Sequence, residues 1–259
     1  MKAIGVLGVG ALTEKVVRGL RRGGRRAPIY LIPHNSHQAA SLARDFDCEI
    51  LESNQAVVEA AQVLLLGVRP ENLKSLALSV DLGPQHWLVS FMAGVSHRDL
   101  LRLFGTDRTI RSMLSYAAET NDATVVLNPS NAKVEKLLSS LGTLLALEHE
   151  SHFELATVAS CVNGWFYFLL HDLQRWVADK GLEPEQSRAL ILGSLSDCVE
   201  YAKANQHRPF AEIGRSITTA ETFSSLGLEM IGLHQSNAIW GAACDIVLDA
   251  LIERHLRAD

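Results

Sequence analysis

The chain is sparing with cysteine. It has four in 259 residues, Cys48, Cys161, Cys198 and Cys244, and none forms a close pair of the zinc-binding kind. Free, mostly buried thiols are expected. The ten histidines are scattered. His149 and His152 stand close together, but no cysteine or carboxylate pattern completes a ligand set, so no metal is expected. Positive charge is not in excess either. Lys and Arg number 24 against 29 Asp and Glu, and the formal charge of −5 is mixed along the chain, which argues against nucleic acid as a partner. No apolar run reads as long enough to span a membrane. A strand pattern starting at Ala3 leaves no room for a signal peptide, so a cytoplasmic protein is expected. What is plentiful is apolar side chain, at 47%, enough to core one large domain or two ordinary ones.

The most informative stretch opens the chain. Ala3 to Leu7 is a short apolar run that meets Gly8-Val9-Gly10. A helical pattern follows, with Leu12, Val16, Val17 and Leu20 on one face. Strand, glycine turn and helix come in the order a dinucleotide site requires. Gly8 permits the tight turn at positive φ. Gly10 lets a diphosphate approach the backbone, and the N–H groups of the helix opened by Ala11 and Leu12 face it. Thr13 stands where the third fingerprint glycine belongs, so the packing of helix on strand must accept a larger residue. The basic run Arg21 to Arg26 follows the opposite end of that helix and reads as a solvated loop.

Strands and helices then alternate. Strand patterns are read at Pro28 to Ile32, Glu49 to Leu51, Val63 to Val68, Trp87 to Phe91, Thr109 to Met113 and Thr124 to Leu127. Helices are read at Ser36 to Phe46, from an Asn54 N-cap, at Glu71 to Val80, from Ser96 or Asp99, and at Ser130 to Leu141. The rhythm predicts an α/β fold, a Rossmann-type doubly wound parallel sheet. From about Ser151 the strands stop. Helical stretches are read at Phe153 to Lys180, distorted near Asn163-Gly164, then Glu185 to Asn205, Phe210 to Ile217 and Glu221 to Arg257. Two domains are therefore expected: residues 1–150 binding a dinucleotide, and residues 151–259 forming an all-helical dimerisation and substrate domain. Apolar residues clustered between Leu226 and Trp240 predict a homodimer.

In order and in length these features resemble the pyrroline-5-carboxylate reductase family. The opening Ile4-Gly5-Val6-Leu7-Gly8-Val9-Gly10 is similar to the family's nucleotide turn. Gly67-Val68-Arg69-Pro70 resembles its Val-Lys-Pro turn, Ser90 to Val95 its Ser-x-x-Ala-Gly-Val segment, and Arg111-Ser112-Met113 its Arg-x-Met. The departures lie elsewhere. Leu114-Ser115-Tyr116-Ala117 replaces Pro-Asn-Thr-Pro. Ser160 to Trp165 replaces Ser-Gly-Ser-Gly-Pro-Ala. Thr219 to Ser224 replaces the Ser-Pro-Gly-Gly-Thr-Thr loop that holds the substrate carboxylate. Cofactor motifs are kept while substrate motifs change.

The resemblance implies hydride transfer from a nicotinamide cofactor to the carbon–nitrogen double bond of a small imine, with proline biosynthesis the family's context. No carboxylate follows the second strand; His34, Asn35 and Ser36 could instead donate to a 2′-phosphate, so NADPH is expected over NADH. Asn54 falls where the family contacts adenosine. Val68, Arg69, Pro70, Met92, Ala93 and Gly94 follow strand ends at the crevice, with Val68 and Met92 lining the nicotinamide pocket. Ser115, Tyr116 and Ser224 are the expected catalytic hydroxyls. Glu221 stands where the family has a glycine; it would repel an anionic substrate and suit a cationic or amine-bearing one. The alternative of the same fold is a catalytically silent NADP-binding sensor or scaffold.

Overall fold

The computed structural model describes residues 3–32, 37–220, 222–233 and 236–257. Its first unit lies within Met1–Ser160 and Leu248–Asp259, its second within Cys161–Val247. The first unit starts with β1 (Ile4–Leu7), α1 (Ala11–Arg22), β2 (Ile29–Leu31), α2 (His37–Asp45), β3 (Glu49–Ile50), α3 (Asn54–Ala60) and β4 (Val63–Leu66). A 3₁₀ turn, Pro70–Asn72, leads into α4 (Leu73–Ala77), β5 (Trp87–Ser90), α5 (His97–Phe104) and β6 (Thr109–Met113). A second 3₁₀ turn, Tyr116–Thr120, precedes β7 (Ala123–Asn128), α6 (Ala132–Leu138), a third 3₁₀ turn and β8 (Gly142–Ala146).

Among the described residues the eight strands form one sheet in the order β3-β2-β1-β4-β5-β6-β7-β8. Helices cover both faces, because the central strands are apolar on both sides. Val63 to Leu66 is buried along its whole length. On one face Val16, Val17 and Leu20 of α1, Leu42 of α2 and Val134 of α6 pack together. On the other, Val57 and Val58 of α3, Leu73 of α4 and Leu100 of α5 do the same. The doubly wound expectation stands, with one correction: β7 runs antiparallel to β6. Residues 114–122 are too few for a parallel crossover, which needs a dozen or more. β8, parallel to β7, is a strand that the sequence pattern did not reveal.

Ser96 caps α5 in a reciprocal box: its hydroxyl accepts from the Asp99 N–H, and the Asp99 carboxylate accepts from the Ser96 N–H. Asn54 is not the cap of α3. Ser53 is, its hydroxyl accepting from the Ala56 N–H at 3.0 Å, and this frees the Asn54 amide to donate to Ser79 Oγ at 2.8 Å.

The remaining helices are α7 (Glu150–Asp179), α8 (Pro184–Ala204), α9 (Phe210–Ile217), α10 (Phe223–Leu233) and α11 (Ser236–Arg257). α7 is continuous through Asn163-Gly164, where a distortion was expected. It is also long and apolar enough to cross a membrane by length and composition, with mean hydropathy 1.3 over its best window. Its first turns nevertheless belong to the first unit, so the unit boundary falls ten residues past the expected 150/151. The reason is Arg111 of β6, which is fully buried. Its Nη1 donates to Glu150 Oε1 at 2.8 Å and to Glu154 Oε1 at 2.5 Å, and its guanidinium lies 4.4 Å from the centre of the Phe153 ring. Two carboxylates one helical turn apart thus clamp α7 to the sheet.

In the second unit, Trp165 and Phe166 stack against Trp240. Much of its apolar surface is open: Phe168 is 75% exposed and Phe223 95%. The cysteines are free, but only Cys48 is buried, where loss of water pushes its thiol pKa up. Cys161 and Cys244 are part-buried and Cys198 is exposed, which corrects the expectation of mostly buried thiols.

Candidate functional site

β1 sends its connection to one side of the sheet and β4 continues on the other, so the strand order reverses between them. Ligands bind open α/β sheets at such a switch point, beyond the carboxyl ends of the strands. Leu7 and Leu66 are the paired last residues of β1 and β4, and Gly8 and Gly67 follow them side by side. A cleft of about 1240 Å³ opens there, wholly within the first unit.

The floor of the cleft explains the glycines. Gly8 has φ +104°, and a methyl on it would lie 2.6 Å from Val68 Cγ1 and 2.8 Å from the Gly67 carbonyl. Only glycine fits that conformation and that space. Gly10 differs. Its φ is −94°, and a methyl would meet nothing closer than the Gly67 oxygen at 3.8 Å, so its face is open to the cleft. Gly10 is also the N-cap of α1 and offers no capping side chain. The first N–H groups of α1 are therefore left for a ligand, beside the positive end of the helix dipole. Thr13 occupies the third fingerprint position because Gly67 yields to it: a methyl on Gly67 would sit 2.4 Å from Thr13 Oγ1, and Thr13 is buried. The glycine has moved from helix to strand.

α1 is braced at its outer side. The turn Tyr116–Thr120 crosses it at Gly19, where a methyl would strike the Ala118 carbonyl oxygen. Lys15 Nζ reaches Glu119 Oε2 at 2.6 Å, and this partner holds the Glu119 carboxyl below the usual carboxylate range.

Of the residues expected to hold a nucleotide, Gly8, Gly10, Ala11 and Leu12 line the cleft on the β1 side. Val68, Arg69, Pro70, Met92 and Ala93 line it on the β4 and β5 side, and Asn54 lines it as well. Gly94 adjoins the wall at φ +66°. His34, Asn35 and Ser36 lie outside the described residues, as does Glu221. The expected catalytic hydroxyls are elsewhere. Ser115 and Tyr116 follow β6, but neither lines the cleft. The Ser115 hydroxyl accepts from the Ala117 N–H and caps the turn, and Tyr116 is 54% exposed. Ser224 belongs to the second unit, on α10, with its hydroxyl 2.9 Å from that of Thr222. Thr222 accepts from the Ser225 N–H there, so this hydroxyl-rich stretch serves as a helix cap.

Sequence reasoning missed several lining residues: Gln38 in the first turn of α2, Ser75 and Ser79 around α4, and Arg254. The first three stand in or beside helices that start above strand ends, a signal that could have pointed to them. Arg254 had none, being some 160 residues away from the turn it meets.

The cleft is built for an extended anion flanked by planar groups. Its centre offers unpaired backbone donors, its edges offer the amide of Gln38, the hydroxyl of Ser75 and Arg69, and its β4 and β5 side offers Val68 and Met92. A dinucleotide diphosphate fits the space left open over Gly10, which a side chain there would enter.

Comparison with known proteins agrees in kind. A family model described as NADP oxidoreductase coenzyme F420-dependent matches residues 3–94. The pyrroline-5-carboxylate reductase of Pseudomonas aeruginosa is 28% identical over 229 residues, covering 83% of each chain. That of Glycine max is 28% identical over 207 residues, 76% of this chain and 74% of its own. Two solved structures share the fold. The 1-pyrroline-5-carboxylate reductase of Streptococcus pyogenes superposes with a TM-score of 0.86 at 18% identity, over 96% of this chain and 98% of that one. The Plasmodium falciparum pyrroline carboxylate reductase, solved with NADP bound, gives 0.86 at 15% identity over 98% of both.

Proposed function

We propose that this chain is a member of the pyrroline-5-carboxylate reductase family and, as such, an NAD(P)H-dependent reductase of the C=N bond of a small imine. The observation that carries the proposal is the uncapped start of α1 above the Gly8 turn, at the switch point of the sheet. The backbone donors of α1 and the open face of Gly10 hold the diphosphate. Val68, Met92 and Ala93 pack against the nicotinamide and fix which face it turns outward, while Asn54 and Gln38 take the adenosine side. When bound, the reduced nicotinamide supplies the hydride that the imine carbon accepts. The protein's own work is to hold the acceptor carbon against that ring and to exclude water around it.

NADPH is the preferred form. Arg69 at the cleft edge supplies a cation for a 2′-phosphate, and the sequence after β2, Ile32 to Ser36, holds no carboxylate to repel one. The working unit is a cytoplasmic homodimer. The exposed Phe168, Phe223, Leu226 and Met230 of the second unit form apolar surface of the kind that a second copy covers.

Turnover tests the reading. The purified protein with NADPH and pyrroline-5-carboxylate, or a panel of related cyclic imines, is expected to oxidise NADPH in step with imine loss. Tight NADPH binding with no turnover across the panel would leave the silent sensor or scaffold in its place.

A further inference from the structure

The last turns of α11 return to the first unit, anchored by the buried Leu251. One turn on, Arg254 reaches the wall of the cleft. Its side chain lies over Gly94, just past β5. A methyl on Gly94 would be 2.8 Å from Arg254 Cδ, 3.3 Å from Nε and 3.5 Å from Nη1. Gly94 therefore makes the room that the guanidinium occupies. This is the β5 end of the cleft, one strand beyond the diphosphate cradle between β1 and β4.

Among the described residues no acid pairs with this cation. The residues at i−4, i−3 and i+3 of its helix are Ala250, Leu251 and Arg257, none of them an acid. Among the described residues the guanidinium has no ion pair and no hydrogen bond, and Glu71 is the one carboxylate lining the cleft, against Arg69 and Arg254. A fork of N–H donors held open beside the nicotinamide position suits a planar, bidentate anion.

We infer that Arg254 is a specificity-determining residue: it receives the carboxylate of the imine substrate and selects anionic rings over neutral ones. The inference rests on the reductase reading for where the ring lies. It assigns the carboxylate to the C-terminal helix rather than to the altered Thr219 to Ser224 segment.

The test uses the full-length protein and two inert ring probes, cyclopentanecarboxylate and its neutral amide, titrated calorimetrically with and without NADPH. Wild type should bind the carboxylate saturably and more tightly than the amide. Arg254→Gln should weaken carboxylate binding by about tenfold or more, the loss expected for a charge-assisted contact. It should leave the amide and NADPH within about twofold. Arg254→Lys, which keeps the charge without the fork, should fall between. In turnover, Arg254→Gln should raise KM for an anionic imine with kcat little changed. Absent carboxylate binding in wild type, or equal binding by wild type and Arg254→Gln, overturns the inference. So does a tenfold loss of NADPH affinity in Arg254→Gln, which would make the residue a cofactor clamp. Failure of wild type to bind NADPH, while the Arg254-dependent carboxylate site persists, would count against the redox reading and for the anion site.

Discussion

Gly8 and Gly10 stand two residues apart in one turn, yet the structure gives them opposite duties. An alanine at Gly8 must adopt φ near +104° with its methyl 2.6 to 2.8 Å from Val68 Cγ1 and the Gly67 backbone. Backbone strain there is worth about 1–3 kcal/mol, and overpacking adds about 1–3 kcal/mol more. Gly8→Ala should therefore destabilise by roughly 2–6 kcal/mol, lowering Tm by about 4–24 °C for a domain of this size. An alanine at Gly10 meets no such obstacle, because its φ is ordinary and its methyl points into open space. It replaces a tolerable N-cap by a poor one, a loss of under about 1 kcal/mol. That same methyl stands in the place proposed for the diphosphate. Gly10→Ala should then weaken NADPH about 10- to 100-fold, equivalent to about 1.4–2.8 kcal/mol, while moving Tm by no more than about 4 °C. Differential scanning fluorimetry and nucleotide fluorescence titration measure the two effects on the same samples. Equal Tm losses in the two variants, or NADPH affinity in Gly10→Ala within twofold of wild type, would refute the assignment.

Removing the Arg111 clamp should be severe. Arg111→Met removes one partner of a buried pair with Glu154, only 8% exposed, and breaking such a pair destabilises by about 3–5 kcal/mol; chemical denaturation of Arg111→Met and of Arg111→Met/Glu154→Leu should show the second change restoring stability, and a double variant no better than the single would contradict this. The Lys15–Glu119 pair should give an acid-side signature. The folded-state pKa of Glu119 lies below its unfolded value, so its contribution is present above the ordinary carboxylate range and is lost as pH falls through the folded pKa. The pair is partly exposed, so Glu119→Gln should cost no more than about 1 kcal/mol at neutral pH and the difference from wild type should vanish in acid; a gap that persists below the folded pKa would be inconsistent. Tyr116→Phe and Ser115→Ala should each reduce kcat less than about tenfold, because neither hydroxyl lines the cleft; a larger loss in Tyr116→Phe would return that phenol to the role of proton donor.

The parts of the molecule legible in the sequence are those governed by local rules. The apolar run Val63 to Leu66, the turn glycines, and the Ser96 and Asp99 pair announce a buried parallel strand, a phosphate turn and a capped helix with no tertiary information. Other features depend on a partner far along the chain. Thr13 looks like a defect until Gly67 is seen against it. β8 is short and half-exposed, and only its pairing with β7 makes it a strand. The hold on α7 depends on Arg111 meeting Glu150 and Glu154 across the sheet. The hydroxyls of Ser115 and Thr222 carry the residue types a catalytic donor needs, yet they spend themselves on helix and turn starts. Arg254 is the extreme case, a cleft residue carried on the last helix.

The proposed reductase requires a pyridine dinucleotide across Gly8 and Gly10 on the open start of α1. A fluorescence titration of the purified protein with NADPH tests it most directly. The account predicts saturable binding, one nucleotide per chain, displaced by NADP and impaired by Gly10→Ala. No saturable signal with NADPH or NADH up to millimolar concentration would contradict it.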